Sequence, residues 1–280
     1  MDIVLNLADD LLLDNAFKSL KRDNWMRQSL SIWLIEMVGV HILYFSFSAL
    51  SYWLLFDKSI LKHPKYLKNQ IQREIWLSVS SFPITSAVTV PWFLFEVKGY
   101  SKLYHNIDDY GWPYFGLSIL LFIAFTDFGV YWIHRLEHHP WLYSWLHKPH
   151  HQWKVTTPFA SFAFHPLDGY FQSLPMHIFV YLFPMNSYAY LTAFVLIQFW
   201  TISIHDGVYL VSHPWINSSA HHTIHHLEFN YNYGQYFTFW DWVGGSYRRP
   251  TFEFENNMYF DRMMRKVKDT RIQINSSKEE

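Results

Sequence analysis

Three short segments hold ten of the 17 histidines of this chain. They read His134-Arg-Leu-Glu-His138-His139, His147-Lys-Pro-His150-His151 and His221-His222-Thr-Ile-His225-His226. Separations of three and four residues place side chains on one face of a helix. Imidazole is a good ligand for Fe, Cu, Ni and Zn, and one helix face can present two imidazoles to one ion. Because a single Zn needs only three or four ligands, ten histidines predict a two-metal centre.

The composition restricts both the metal ligands and the partners. The chain has no cysteine, so disulfides, cysteine-ligated zinc and iron–sulfur clusters are excluded, and histidine and carboxylate must hold any metal. Its 22 basic and 23 acidic residues form no basic stripe, and we expect no nucleic-acid partner. Aromatic residues make up 21% of the chain. Such content lines a large apolar pocket or collects at a membrane interface.

Long apolar stretches predict an all-α fold, a multi-pass membrane helical bundle with a cytosol-facing, histidine-rich catalytic cap. Three stretches reach the roughly 20 residues that a spanning helix requires; a soluble helix bundle is the alternative. The N-terminal region lacks the apolar core of a cleaved signal peptide. We divide the chain into four regions. A polar segment covers residues 1–28, and transmembrane spans at about 29–56, 75–97 and 114–133 lie within residues 29–133. A histidine-box catalytic region covers residues 134–250, and a C-terminal tail covers residues 251–280.

The segment 170–204 is also apolar and is interrupted near Pro184. The histidine segments can share one centre only if the chain crosses the membrane an even number of times between them. We therefore expect a hairpin or a re-entrant element at 170–204. The loop 57–74 carries more lysine and arginine than the loop 98–113, which places the first loop, and hence His134, on the cytosolic side. Basic residues before the first span argue for the opposite orientation.

The histidines differ in how well they fit a metal site. His139 and His221 flank their segments and either bind metal or support a ligand. His205 follows the fourth apolar region at the correct depth for a further ligand, and His165 is a weaker candidate. The predicted metal ligands are His134, His138, His139, His147, His150, His151, His205, His221, His222, His225 and His226.

Two aspartates are candidates for supporting these ligands. Asp127 lies seven residues before His134 and eleven before His138, a spacing that places all three on one face of the third predicted span. A carboxylate inside a membrane helix is costly and needs a partner. We expect Asp127 to accept the second ring N–H of a ligand histidine, as carboxylates near metals commonly do, and Asp206 is a similar candidate beside His205. A helix–helix hydrogen bond unrelated to metal is the alternative for Asp127.

The donor set favours redox chemistry over hydrolysis. The first segment has Arg135 after His134, so the protease motif His-Glu-x-x-His is absent from it. Two ions surrounded by imidazole suit iron that activates dioxygen against a C–H bond. A zinc ion could replace iron in a preparation, because imidazole binds both. A site at a membrane surface indicates a substrate that partitions into the lipid bilayer.

The spacing His-x-x-x-His-His, His-x-x-His-His and His-His-x-x-His-His resembles the fatty acid hydroxylase superfamily of membrane di-iron enzymes. These three patterns are called histidine boxes. The segments between them resemble the sterol C5-desaturase (lathosterol oxidase) branch of the superfamily over nearly the whole chain. These segments include Leu146-His-Lys-Pro-His-His-Gln-Trp153, Thr157-Pro-Phe-Ala-Ser-Phe-Ala-Phe-His-Pro-Leu-Asp-Gly169, Trp200-Thr-Ile-Ser-Ile-His-Asp-Gly207 and Tyr231-Asn-Tyr-Gly-Gln-Tyr-Phe237.

The resemblance implies an enzyme of the endoplasmic reticulum membrane with its di-iron site facing the cytosol. Such an enzyme introduces the C5–C6 double bond into a Δ7-sterol. It uses O2 and electrons from NADH or NADPH, delivered by cytochrome b5 and its reductase. The ten box histidines carry over as metal ligands. Desaturation rather than hydroxylation rests on the resemblance alone.

Two other readings remain open from the sequence. The first is another lipid hydroxylase or a sterol C4-methyl oxidase of the same superfamily, which shares the histidine boxes. The second is a non-catalytic membrane protein that binds metal or sterol. A transporter would hold ionisable residues deep in several spans, whereas here the histidine segments lie just outside them.

Overall fold

The computed structural model describes residues 1–209 and 213–250; the predicted tail at 251–280 lies outside the described residues. Two short strands, β1 (Leu103–Tyr104) and β2 (Met185–Asn186), form one parallel pair. The α-helices are α1 (Asp2–Ala8), α2 (Asp14–Ala16), α3 (Trp25–Leu54), α4 (Gln70–Val97), α5 (Gly111–Glu137), α6 (Pro140–Leu142), α7 (Lys148–His151), α8 (Pro166–Leu182), α9 (Ser187–His205), α10 (Ser219–Glu228) and α11 (Phe239–Val243). Single turns of π-helix lie at Asp9–Leu13 and Tyr143–His147, and 3-10 turns at Lys58–Lys62, Ile107–Asp109 and Pro158–Phe162.

Four helices are long and apolar enough to cross a membrane: α3, α4, α5 and α9. Their outward faces are apolar, as Val38, Ile42 and Leu120 show with 59%, 59% and 65% exposure. Apolar side chains on the outside of a helical bundle are stable in lipid, whereas water would disfavour them. The predicted all-α membrane bundle is confirmed.

The apolar region 170–204 forms a helical hairpin of α8 and α9. Its turn reaches the loop between α4 and α5, where Leu103 pairs with Met185 and the Tyr114 hydroxyl donates to the Pro184 carbonyl at 3.1 Å. The Asn186 side chain caps α9 by accepting from the backbone N–H of Tyr188 at 3.1 Å. The hairpin therefore spans the bundle from end to end and returns the chain to the histidine side.

The core between α5, α8 and α9 fixes this hairpin. Phe122 of α5 lies edge-on to Phe179 of α8 at 5.2 Å and to Tyr190 of α9 at 6.0 Å. All three side chains are buried. Edge-to-face aromatic pairs add about 0.5–1.5 kcal/mol beyond the area they bury. This packing fixes the position of α9 along α5, and therefore the distance between His205 at the end of α9 and His134 near the end of α5.

Gly129 permits the close crossing of α5 and α8. A Cβ atom at this position would lie 2.5 Å from Cγ of Pro175. We expect Gly129→Ala to destabilise the fold by about 1–3 kcal/mol, the range for overpacking, although alanine is the better helix former. Gly116→Ala on the same helix, where nothing lies within 4 Å, is the control. Thermal unfolding in detergent should give a lower Tm for Gly129→Ala only; equal Tm values would contradict the tight crossing.

Candidate metal centre

Nine buried or half-buried histidines converge into two groups. The five-histidine cluster consists of His134, His138, His147, His151 and His225, and the four-histidine cluster of His150, His205, His222 and His226. Within each group, one ring nitrogen per residue lies within 4.8 Å of all the others. Neighbouring Nε2 atoms lie 2.9 to 3.3 Å apart. Ligand atoms on one ion with bonds of about 2.0–2.1 Å have separations of this size.

Helical geometry explains how the second and third histidine segments each serve both clusters. Residues four apart face the same way, so His147 and His151 join the five-histidine cluster and His222 and His226 the four-histidine cluster. Adjacent residues point in different directions, and His150 therefore leaves its neighbour His151 for the other cluster. The two clusters remain in contact, with 4.8 Å between the ring centres of His151 and His226.

Backbone carbonyl groups fix the tautomers of three ligands. Nδ1 of His134 lies 3.0 Å from the Tyr233 carbonyl, Nδ1 of His225 lies 2.8 Å from the Tyr231 carbonyl, and Nδ1 of His205 lies 2.7 Å from its own helix at Thr201. A carbonyl only accepts, so each ring donates from Nδ1 and a neutral ring turns its Nε2 lone pair inward. Lone pairs that face one another repel, and a cation between them removes the repulsion. The donor set therefore fits a metal ion in each cluster.

Burial keeps these imidazoles in the form that binds metal. Burial, followed by the neighbouring histidines, holds the pKa of His150, His222 and His225 well below the usual value. The same causes lower the pKa of His138, His151 and His226. Neutral imidazole is the ligand form, since a protonated ring has no lone pair to offer.

A carboxylate that the sequence analysis did not select supports the five-histidine cluster. Nδ1 of His147 lies 2.7 Å from Oδ2 of Asp168, which is fully buried, and Nε2 of Gln172 donates to the other oxygen at 2.6 Å. Glu137 is also buried, with its Oε2 atom 3.9 Å from Nδ1 of His147. The only sequence signal for Asp168 was its position in the segment His165-Pro-Leu-Asp-Gly169, which carries the family resemblance. Its contact with His147 is visible only in the fold.

Asp127 and Asp206 act on the backbone rather than on a histidine ring. Oδ1 of Asp127 accepts the N–H groups of Tyr236 and Phe237 at 2.8 and 3.1 Å. The hydrogen bond from Asp127 to a ligand histidine, expected from the sequence, is therefore not formed. Asp127 lies seven residues before His134, about 10 Å along the helix, so its carboxylate reaches the loop 231–237 instead.

Asp206 and Asp241 complete this supporting layer. Asp206 accepts from Ser51 Oγ at 3.1 Å and from the Val208 N–H, which ties the end of α9 to α3. Asp241 accepts the N–H groups of Tyr233 and Gly234 at 2.8 and 2.9 Å. Burial raises the pKa of Asp206 to about 7 and that of Asp241 to about 6. These carboxylates hold the carbonyl groups and helix ends on which the histidines depend.

Two predicted ligands lie outside both clusters. His139 is exposed, and its Nδ1 accepts from the Trp141 N–H at 3.4 Å to cap α6. His221 is buried, but its Nδ1 accepts from the Ser218 N–H in the capping box of α10. His165 likewise caps α8 by accepting from the Leu167 N–H. Capping directs these imidazoles to helix ends, where none of the described residues offers a second ligand.

An apolar cavity of about 340 Å³ opens beside the clusters, between α3, α4, α8 and α9. Its lining includes Phe164, whose ring centre lies 4.8 Å from that of His150, and Gln172, which holds Asp168. Thr201, which accepts the His205 ring N–H, also lines it. The cavity therefore approaches both clusters. Its size lies in the range of small-molecule sites, about 300–1,000 Å³.

The contact between His147 and Asp168 predicts a measurable loss of metal affinity. In Asp168→Asn the buried ring loses its charged partner, and we expect metal affinity to fall about 10–100-fold, as for other supporting carboxylates. Competition with a chromogenic chelator measures this affinity. Asp108→Asn, an exposed position in the loop before α5, should leave it unchanged. Equal affinities in the two variants would mean that Asp168 does not support a metal ligand.

Comparison with known proteins agrees with the geometry. Residues 119–246, which contain all nine converging histidines, match the family described as fatty acid hydroxylase. A Delta(7)-sterol 5(6)-desaturase of Schizosaccharomyces pombe is 47% identical, over 96% of this chain and 89% of its own. The lathosterol oxidases of Rattus norvegicus and Homo sapiens are 50% and 48% identical, each over 90% of this chain and 86% of their own. No solved structure matches the chain. With such identity over nearly its full length, the chain belongs to the Delta(7)-sterol 5(6)-desaturase (lathosterol oxidase) family of the fatty acid hydroxylase superfamily.

Proposed function

We propose that this protein is a membrane-bound non-haem di-iron sterol C5-desaturase, which introduces the C5–C6 double bond into a Δ7-sterol. The observation that carries the proposal is the pair of adjacent, buried imidazole clusters beside an apolar cavity in a membrane bundle. Relatives named for this reaction share about half of the residues. Sterols partition into the bilayer, and a cavity between membrane helices admits them without exposure to water.

Nine histidines would hold the two irons, five in one cluster and four in the other. Among the predicted ligands, His139 and His221 are assigned to helix caps and not to metal. Iron is preferred because a d¹⁰ zinc ion has no redox chemistry, although imidazole binds both metals. When bound, iron would supply the activation of dioxygen that removal of hydrogen from an unactivated carbon requires.

The protein's own residues contribute position and the exclusion of water. Phe164, Thr201 and Gln172 line the cavity and contact a histidine ligand or its supporting carboxylate, so we place the reacting ring carbon of the sterol at this end of the cavity. The fully buried Asp168 and the carbonyl of Tyr233 hold two ligand rings in fixed orientations. Such placement decides whether a second hydrogen is removed, because misplacement of a reacting group by about 1 Å costs orders of magnitude in rate.

The reaction requires an external source of electrons. Reduction of O2 to two water molecules takes four electrons and four protons, and the two hydrogens of the sterol supply two of each. We propose that NAD(P)H supplies the other two electrons through a reductase and cytochrome b5. The proposed location is the endoplasmic reticulum membrane, with the clusters on the cytosolic side.

Sterol analysis in cells that accumulate Δ7-sterols tests the proposed function. Expression of the chain should produce a Δ5,7-diene, which is detected by its ultraviolet absorbance and by mass spectrometry. His150→Ala removes a ligand of the four-histidine cluster, and product formation should fall by at least about 100-fold, as expected for loss of an essential group.

His139→Ala is the matched control, because this histidine is exposed and caps a short helix. It should retain most of the activity, since loss of such a cap costs only about 1 kcal/mol. If the His139→Ala variant is folded but inactive, His139 must be counted as a metal ligand. A hydroxylated or demethylated product from the wild-type chain would refute the desaturase proposal.

A further inference from the structure

A strained aromatic residue covers one ligand of the five-histidine cluster. Phe229 follows α10 with a φ of +65°, in the left-handed region that bulky residues rarely occupy. Its ring centre lies 4.9 Å from that of His151 and 6.1 Å from that of Tyr143. Strain of this kind costs about 1–3 kcal/mol and persists where the surrounding structure requires it. The left-handed turn places one aromatic ring between His151 and the outer surface.

One lysine lies against this ring, and two further basic side chains lie near that lysine. Nζ of Lys154 lies 3.6 Å from the ring centre of Phe229. Burial, and then the charge of Lys65, lower the pKa of Lys154. Gln70 accepts from the Leu67 N–H at 2.9 Å and donates to the Val155 carbonyl at 2.7 Å, which holds the loop that carries Lys65 beside the chain at Lys154. Arg73 stacks 5.3 Å above Trp153, the neighbour of Lys154. In the described part of the chain no carboxylate pairs with these three side chains, which we call the basic patch: Lys65, Arg73 and Lys154.

Like charges repel, so this arrangement is unfavourable in the isolated protein and suits an acidic partner. The kind of partner can be inferred from the position of the basic patch next to Phe229 and His151. Electron transfer slows steeply with distance, and the Phe229 ring contacts both Lys154 of the basic patch and His151. The chain has no cysteine for an iron–sulfur relay of its own. A carrier protein that docks here would bring its redox group close to the five-histidine cluster.

We propose that the basic patch is the docking surface of an acidic one-electron carrier protein and that electrons pass through Phe229 to His151. The inference rests on the proposed function, which requires two electrons from outside the chain. The carrier binds twice in each cycle and is oxidised by one electron each time. These two electrons and two protons from water, with the two hydrogens of the sterol, reduce one O2 to two water molecules.

An anionic lipid headgroup is the other ligand that a basic surface near a membrane attracts. Binding of a lipid headgroup requires only positive charge, and it does not explain why the strained Phe229 ring lies against His151. The carrier is therefore the favoured partner. The test uses discs that contain only phosphatidylcholine, so that headgroup charge is absent when carrier binding is measured.

Binding of the soluble haem domain of cytochrome b5 to the full chain in these discs is the first measurement. The double variant Lys65→Glu/Lys154→Glu should weaken binding at least about tenfold and flatten its salt dependence, because it reverses two charges at the interface. Lys18→Glu/Lys21→Glu makes the same charge change at exposed positions before α3, at the other end of the bundle. This control should bind as the wild type does.

An unchanged dissociation constant in the patch variant would overturn the docking surface. Loss of binding only to phosphatidylserine vesicles, with carrier binding intact, would overturn it in favour of lipid. Docking is measured without turnover and does not depend on metal content. If the wild-type chain forms no diene, the proposed function fails separately; if it forms the diene and the patch variant binds normally, only this inference fails.

Phe229→Gly tests the electron path. Glycine adopts a positive φ without strain, so this variant keeps the left-handed turn and loses the packing of the ring on His151 and Tyr143. It lacks the ring on His151, and we expect slower oxidation of pre-reduced cytochrome b5 haem in a single turnover, by several-fold, with an unchanged dissociation constant. Reduction of the centre by dithionite should keep its wild-type rate. An unchanged rate of haem oxidation would exclude Phe229 from the path.

Discussion

Nε2 lone pairs that face one another in a dry interior are the constraint on which the rest of the structure depends. At His134, His225 and His205 a carbonyl takes the Nδ1 proton, and so each ring turns its acceptor nitrogen toward other acceptors. Water, which could relieve such contacts, is excluded by burial. A cation between the rings removes this repulsion. The membrane helices, the hairpin and the short helices of the cap can then be understood as the means of holding nine rings in a geometry that fits metal ions.

The supporting layer shows how the chain tolerates this arrangement. Asp127 and Asp241 together bind four backbone N–H groups of the loop 233–237. The neighbouring carbonyl of Tyr233 then fixes His134. Asp168 acts directly on His147. Rigid support of this type lowers the cost of organising the ligands for a metal ion.

Local periodicity was sufficient for much of the prediction. Three apolar stretches gave three of the four helices of spanning length, and spacings of four residues placed His134 with His138 and His222 with His226, as the fold also does. His205 was recognised because the end of an apolar helix sets its depth. The helix caps were missed: His139 and His221 have the correct residue type and spacing, but the local chain reverses direction beside them. Asp127 was placed correctly on its stripe and given the wrong partner, because its partner lies more than 100 residues away.

The sequence by itself determined the helical membrane bundle and the type of donor atoms, because these depend on composition and on contacts within one or two turns, and the family was recognised from the resemblance of its histidine boxes and the segments between them. Tertiary structure alone decided how adjacent histidines divide between two clusters, that Asp168 supports His147, and that Phe229 covers His151. The division of the histidines and the Phe229 contact join segments that meet only after the α8–α9 hairpin has returned to the histidine side, and the Asp168 contact joins the start of α8 to the histidine segment before it. No local pattern encodes such a distance, because it is set by the lengths and crossings of several helices at once.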